Sequence, residues 1–153
     1  MAKEIEFFWD TGSTNTYFAL HLIRPLAGRH GATIRMRPFN LGYVFRHHKY
    51  VLMEEPAAKI ANRKRDLMRG AERYNLPFRV PEVFPIKTSR ALRAALAMRR
   101  KGKERAFVDA LFAAYWERGD ASIQDHAGMA PLVAALGEDP AESAALAESE
   151  EVR

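Results

Sequence analysis

The stretch "EFFWDTGSTNTYFAL", Glu6–Leu20, decides how the chain begins to fold. Phe7, Phe8 and Trp9 close a short apolar run that reads as a strand from Lys3 to Trp9. Thr11, Gly12, Ser13, Thr14, Asn15 and Thr16 follow, all small or polar. Tyr17, Phe18, Ala19 and Leu20 then open an apolar helical pattern. A strand that passes through polar residues into a helix presents unpaired N–H groups and the positive end of a dipole at the junction. Such a place can hold an anion or a thiolate. Ser13 has two readings at this point. It is an N-cap, worth about 1 kcal/mol, or it is a donor to a ligand. No histidine lies near it in sequence, so a serine-hydrolase nucleophile has no support.

Working outward, Ser13 or Thr14 caps a helix that runs to about His30, with Tyr17, Leu20, Leu22, Ile23 and Leu26 at apolar positions. Pro25 lies inside it and predicts a kink or an early end. Gly28 or Gly31 closes it. "ATIRMR", Ala32–Arg37, alternates apolar and charged residues and reads as a second strand. Strand, helix and strand make one βαβ unit with parallel strands.

The character then changes. "PFNLGYVFRHHKYVLMEEP" carries turn residues without a clean period. From Pro56 the pattern is helical. "NLPFRVPEVFP" is extended and punctuated by proline, and a cis bond at Val80–Pro81 or Phe84–Pro85 is open. Helices are predicted over about 89–101, 103–118, 125–136 and 140–152. Only two strands are evident, both in the first 40 residues, and a sheet that small is a poor core.

The totals fit one folded chain of 153 residues with 48% hydrophobic content. There is no cysteine, which excludes disulfides, thiolate metal sites and cysteine nucleophiles within these residues. No apolar run approaches a membrane span, so a membrane is not an expected partner. The acidic start "MAKEIEFFWD" does not look like a secretory signal, and the expected location is cytoplasmic. The net charge of +5 is uneven. Six acids and only Arg153 follow Gly137. Taking these from the 19 acids and 24 bases leaves residues 1–137 with 23 bases against 13 acids, a balance of +10. So basic a body favours anionic partners, either nucleic acid or a small polyanionic ligand.

Other features are weighed against plainer explanations. His47–His48 is a tempting metal pair, but adjacent residues rarely converge on one ion and no third ligand has a suitable spacing, so no metal is expected. "NRKRD", Asn62–Asp66, is basic but lacks the interleaved aromatics of base stacking; it reads as a solvated face. "RALRAALAMRR" reads as a core helix with one wet face. Lys59 sits near a helix start, where the dipole mildly disfavours a cation, and so raises the question of a ligand.

Together these pieces resemble a family. "FFWDTGSTNTYFAL" is similar to the opening "FDFxSPxSYLA" of 2-hydroxychromene-2-carboxylate isomerases and kappa-class glutathione transferases. "RPFNLGYVFR", "PAAK", "DLMRGAERYNLPF" and "FPIKTSRALRAAL" resemble its next segments in order, so the likeness spans about Glu4 to Trp116. Thr14 stands where the family usually has proline, and Lys49 or Tyr50 falls near the place of an asparagine that contacts glutathione. The resemblance implies an α/β chain, with a thioredoxin-like βαβ unit (residues 1–40) and an inserted all-helical domain (residues 41–153). It implies glutathione as cofactor, with Ser13 hydrogen-bonded to its sulfur, Thr14 beside it, Lys59 on the tripeptide, and Phe84 and Pro85 lining the same cleft. The implied activity is isomerisation of a small aromatic carboxylate through a transient thiol adduct, with conjugation by a glutathione transferase as the alternative. The family continues past the point matching Arg153 with further strands, so the expected sheet is incomplete. Such a chain either leaves its sheet poorly buried or pairs with a second copy as a homodimer. A non-catalytic basic helical module, with nucleic acid as its disfavoured ligand, and an inactive fragment are the competing readings.

Overall fold

The computed structural model describes residues 3–152, which fall into two compact units, one ending at Phe78 and the other beginning at Arg79. The boundary inferred at residue 40 follows a family insertion, whereas the compact units follow spatial proximity, so the two divisions measure different things.

The first unit opens with β1 (Lys3–Trp9), α1 (Thr14–Arg29) and β2 (Ala32–Pro38). The strands pair in parallel, with Lys3 opposite Ala32 and Trp9 opposite Pro38. Alternation sorts the side chains: Ile5, Phe7 and Trp9 share the more buried face, while Glu4, Glu6 and Phe8 are exposed. Arg37 holds Glu6 at 2.5 Å, and Arg35 approaches Glu4 at 3.7 Å. These pairs are solvated, so Arg37→Ala is expected to shift stability by less than about 1 kcal/mol in urea denaturation. Among the described residues no third strand joins the sheet.

α1 continues through Pro25 to its C-cap at His30, with Gly31 at φ 59° supplying the left-handed turn that stops it. The early end suggested by Pro25 does not occur. Tyr17, Leu20 and Ala27 are its buried apolar residues; Leu22 and Leu26, one turn apart on the same stripe, stay exposed. The stretch without a period also folds. Asn40 caps a short helix, α2 (Leu41–His47), by accepting from Tyr43 N at 2.9 Å. A 3₁₀ turn at Leu52–Glu54 leads to α3 (Ala57–Arg73).

The second unit is helical: α4 (Ser89–Arg100), α5 (Glu104–Phe112), α6 (His126–Ala135) and α7 (Pro140–Glu148). α5 widens into a π turn at Ala113–Glu117. Ala91, Ala94, Ala95 and Ala97 are all buried on α4 and let neighbouring helices approach closely. Met98, Phe107, Leu111, Tyr115, Trp116, Ile123 and Met129 fill the core. Burial pushes the Tyr115 hydroxyl pKa upward, and that hydroxyl donates to Val83 O at 3.0 Å. The acids after Gly137 are not a free tail. Lys101 pairs with Glu138 at 3.0 Å, Arg93 and His126 with Glu148 at 3.0 and 2.8 Å, and Arg100 with Glu151 at 2.9 Å. The basic side of α4 stays exposed at Arg90, Arg99 and Arg100, as expected of a wet face, while Arg93 ties the helix to Glu148 of α7.

Candidate functional site

The Ser13 junction is built from the end of β1. Asp10 follows Trp9 and is 1% exposed. Its Oδ1 accepts from Gly12 N at 2.8 Å, and its carbonyl accepts from Ser13 N at 3.0 Å. Two such bonds close a tight aspartate turn. Ser13 leaves that turn with extended backbone, φ −98° and ψ 117°, and becomes the N-cap of α1. Its Oγ accepts from Thr16 N at 3.3 Å. A hydroxyl has one proton and two lone pairs, so this bond leaves the Ser13 proton available to donate. Thr14 and Asn15 open the helix, and their N–H groups have no intrahelical acceptor. The positive end of a 16-residue helix coincides with these donors. Ser13 is partly exposed, so a ligand can reach it.

Lys59 is also in the first unit, in the first turn of α3. Its Nζ pairs with Glu55 Oε1 at 2.7 Å, an i,i+4 contact, and its side chain remains 62% exposed. This explains how a cation is tolerated there: an anion lies just before the helix. Glu55 is the more constrained partner, its side chain only 6% exposed. Arg63 also pairs with it, and the Tyr50 hydroxyl donates to it at 2.5 Å. Hydrogen bonds from Lys59 and Tyr50, with help from Arg63, hold the Glu55 carboxyl down at about 2, against the opposing effect of burial. The same contact pushes Lys59 upward.

A depressed acid stabilises the fold above its ordinary pKa and loses that contribution as pH falls. The Glu55 contribution is therefore complete above about 4.5 and is lost as pH drops from there toward 2. Glu55→Gln is expected to flatten that part of the acid limb when urea midpoints are compared between pH 5 and 2.

Phe84 and Pro85 belong to the second unit, where the bond between them is cis. Phe84 is half-buried against Trp116, ring centroids 6.1 Å apart, and Pro85 is exposed. The segment is pinned by Arg79 N to Trp116 O at 2.7 Å and by Lys87 N to Gln124 Oε1 at 2.8 Å. The structure therefore brings Ser13 and Thr14 together at one helix start and gives Lys59 a partner of its own. Among the described residues no group of three or more His, Asp or Glu has the geometry to hold a metal ion, and no helix is long and apolar enough to cross a membrane. Reading the sequence missed Asp10 and Glu55, and placed Tyr50 near a glutathione contact where the structure gives its hydroxyl to Glu55. An Asp before Thr-Gly is an aspartate-turn signal, and Glu55 with Lys59 is a helix-type i,i+4 pair.

Comparison with known proteins agrees with this architecture. A search of curated proteins found no match. Among solved structures, selenomethionine-labelled 2-hydroxychromene-2-carboxylate isomerase is similar at a TM-score of 0.75 and 25% identity, over 97% of this chain and 73% of that one. A Nitrosomonas europaea protein, provisionally named a protein disulfide isomerase, is similar at 0.70 and 16% identity, over 99% of this chain and 73% of that one. The model of the DSBA-like thioredoxin domain matches residues 4–153. With its parallel βαβ start and its helical remainder, this chain has the thioredoxin-like fold and belongs to the DSBA-like thioredoxin domain family.

Proposed function

We propose that the chain binds glutathione with its sulfur at the start of α1 and serves a glutathione-dependent isomerisation of a small aromatic carboxylate of the 2-hydroxychromene-2-carboxylate type. One observation carries this reading: Ser13 caps α1 through a lone pair and keeps its proton to donate. The likeness to 2-hydroxychromene-2-carboxylate isomerase suggests the reaction class.

The donors at the junction suit an anionic sulfur. Glutathione, when bound, would supply the nucleophilic thiol that a chain without cysteine lacks. Ser13 donates its proton to that sulfur, and the Thr14 and Asn15 amides add positive potential around it. Each unit by which such contacts lower the thiol pKa represents about 1.4 kcal/mol of preference for the thiolate. Lys59 has three protons and spends one on Glu55, so it retains donors for a carboxylate of the tripeptide. Phe84 and Pro85 enter this reading through the family resemblance alone. Exchange of disulfides requires a thiolate; these 153 residues provide none, so that activity is disfavoured.

The test is a product balance. Incubated with glutathione and 2-hydroxychromene-2-carboxylate, the chain is expected to form the isomer while free glutathione stays constant. Consumption of glutathione would mark a transferase instead. Turnover that is indifferent to glutathione, or no turnover with no glutathione binding, would overturn the proposal.

A further inference from the structure

Asp10 does more than close the turn before Ser13. It is a carboxylate with almost no solvent exposure, and its two oxygens serve two different segments. Oδ1 takes Gly12 N at 2.8 Å; Oδ2 takes Leu41 N at 2.7 Å. Leu41 is the first residue of α2, whose cap is Asn40. Just before it, Phe39 N donates to Trp9 O at 3.0 Å and carries the chain alongside the end of β1. One side chain therefore fixes both the turn that delivers Ser13 and the start of the helix after β2.

We propose that Asp10 is a positioning residue for the thiolate site and couples the Ser13 turn to the start of α2. This inference deepens the glutathione reading and rests on it for its functional part. The geometry explains why the residue is aspartate. Two backbone N–H groups converge on it from different segments, and only a carboxylate offers an acceptor to each. Asparagine would satisfy one and turn its own NH₂ toward the other, leaving donors face to face. Its contribution is the placement of Ser13.

The two links can be separated. Leu41→Pro removes the Leu41 N–H that donates to Oδ2. Proline is tolerated at the first position of a helix, and Asn40 already has the extended backbone that precedes a proline, at φ −90° and ψ 99°. Gly12 and Ser13 are untouched by that change. In the full chain without any ligand, Leu41→Pro is expected to move the amide NMR resonances of Gly12, Ser13 and Thr14. Unmoved resonances in a folded variant would overturn the coupling whatever the protein's activity. In the glutathione-dependent assay, Leu41→Pro and Asp10→Asn are expected to lower kcat roughly ten- to a hundredfold with little change in KM, as misplacement of a donor by up to about an ångström does. A purely structural Asp10 would lower the melting temperature and leave kcat of the folded enzyme intact, which would overturn the positioning role. If wild type shows no glutathione dependence, the functional proposal fails, while the ligand-free resonances still decide whether Asp10 couples the two segments.

Discussion

Ser13→Ala is expected to lower glutathione-dependent kcat/KM by roughly 10²–10³-fold, the loss that follows removal of one well-placed donor to a developing or resident anion. The same change removes the N-cap of α1 and should cost about 1 kcal/mol of stability. Two effects are then mixed, so a second variant separates them. Aspartate caps helices as well as serine does. Ser13→Asp should keep the bond from Thr16 N and the stability of α1, yet place a negative charge where the sulfur sits and remove the donor proton. A cap-only serine predicts near-normal activity for Ser13→Asp. A thiolate donor predicts an enzyme that is folded and as inactive as Ser13→Ala, or more so. Steady-state kinetics beside urea denaturation read both quantities.

The largest stability effect is expected at Gly128, inside α6. Helix propensity alone says that alanine there should stabilise by about 1 kcal/mol. Contact geometry says the opposite. A Cβ on Gly128 would lie 2.0 Å from Ser122 O and 2.4 Å from Ser122 C. These are backbone atoms, and they cannot rotate away. Asp120 Oδ1 accepts from Ser122 N at 2.9 Å, and Ser122 O accepts from Asp125 N at 3.1 Å, directly before α6. Relieving the overlap must part α6 from the 3₁₀ turn at Ala121–Gln124. Overpacking of this kind costs about 1–3 kcal/mol, and loss of the backbone bond adds about 1. We expect Gly128→Ala to lose about 1–3 kcal/mol net and to melt roughly 3–10 °C lower. An unchanged or raised melting temperature would show that the turn can move.

Much of this architecture is legible in the chain. The apolar run that closes at Trp9 and the alternation from Ala32 to Arg37 mark the two strands, and each falls within a residue of its predicted bounds. The small polar run between Asp10 and Tyr17 locates the start of α1 and offers Ser13 or Thr14 as its cap, and the structure uses Ser13. Three features are less legible because they depend on partners distant in sequence. α2 lacks a period, since its N-terminus is held by Asn40 locally and by Asp10 from 31 residues away. α1 runs through Pro25 instead of stopping there. Leu22 and Leu26 look like core positions but face away from it, because periodicity shows that a stripe exists and not that something covers it.

At the candidate site, the sequence points to Ser13 as the thiolate donor and to Lys59 as a contact to the tripeptide, and the structure gives them different company. Ser13 stands among free helix donors, whereas Lys59 answers a nearly buried Glu55. What the chain alone could not reveal is that Asp10, one letter inside a familiar-looking motif, ties two segments together.

The central claim is that the start of α1 stabilises a thiolate. Its most direct test is the pKa of the glutathione thiol in the complex, followed by ultraviolet absorbance of the thiolate across pH, for wild type and Ser13→Asp. We predict a bound thiol at least one unit below free glutathione in the wild type, and loss of that depression in Ser13→Asp. A bound thiol that titrates as it does in free solution, or the same depressed value in both proteins, would contradict the role given to Ser13.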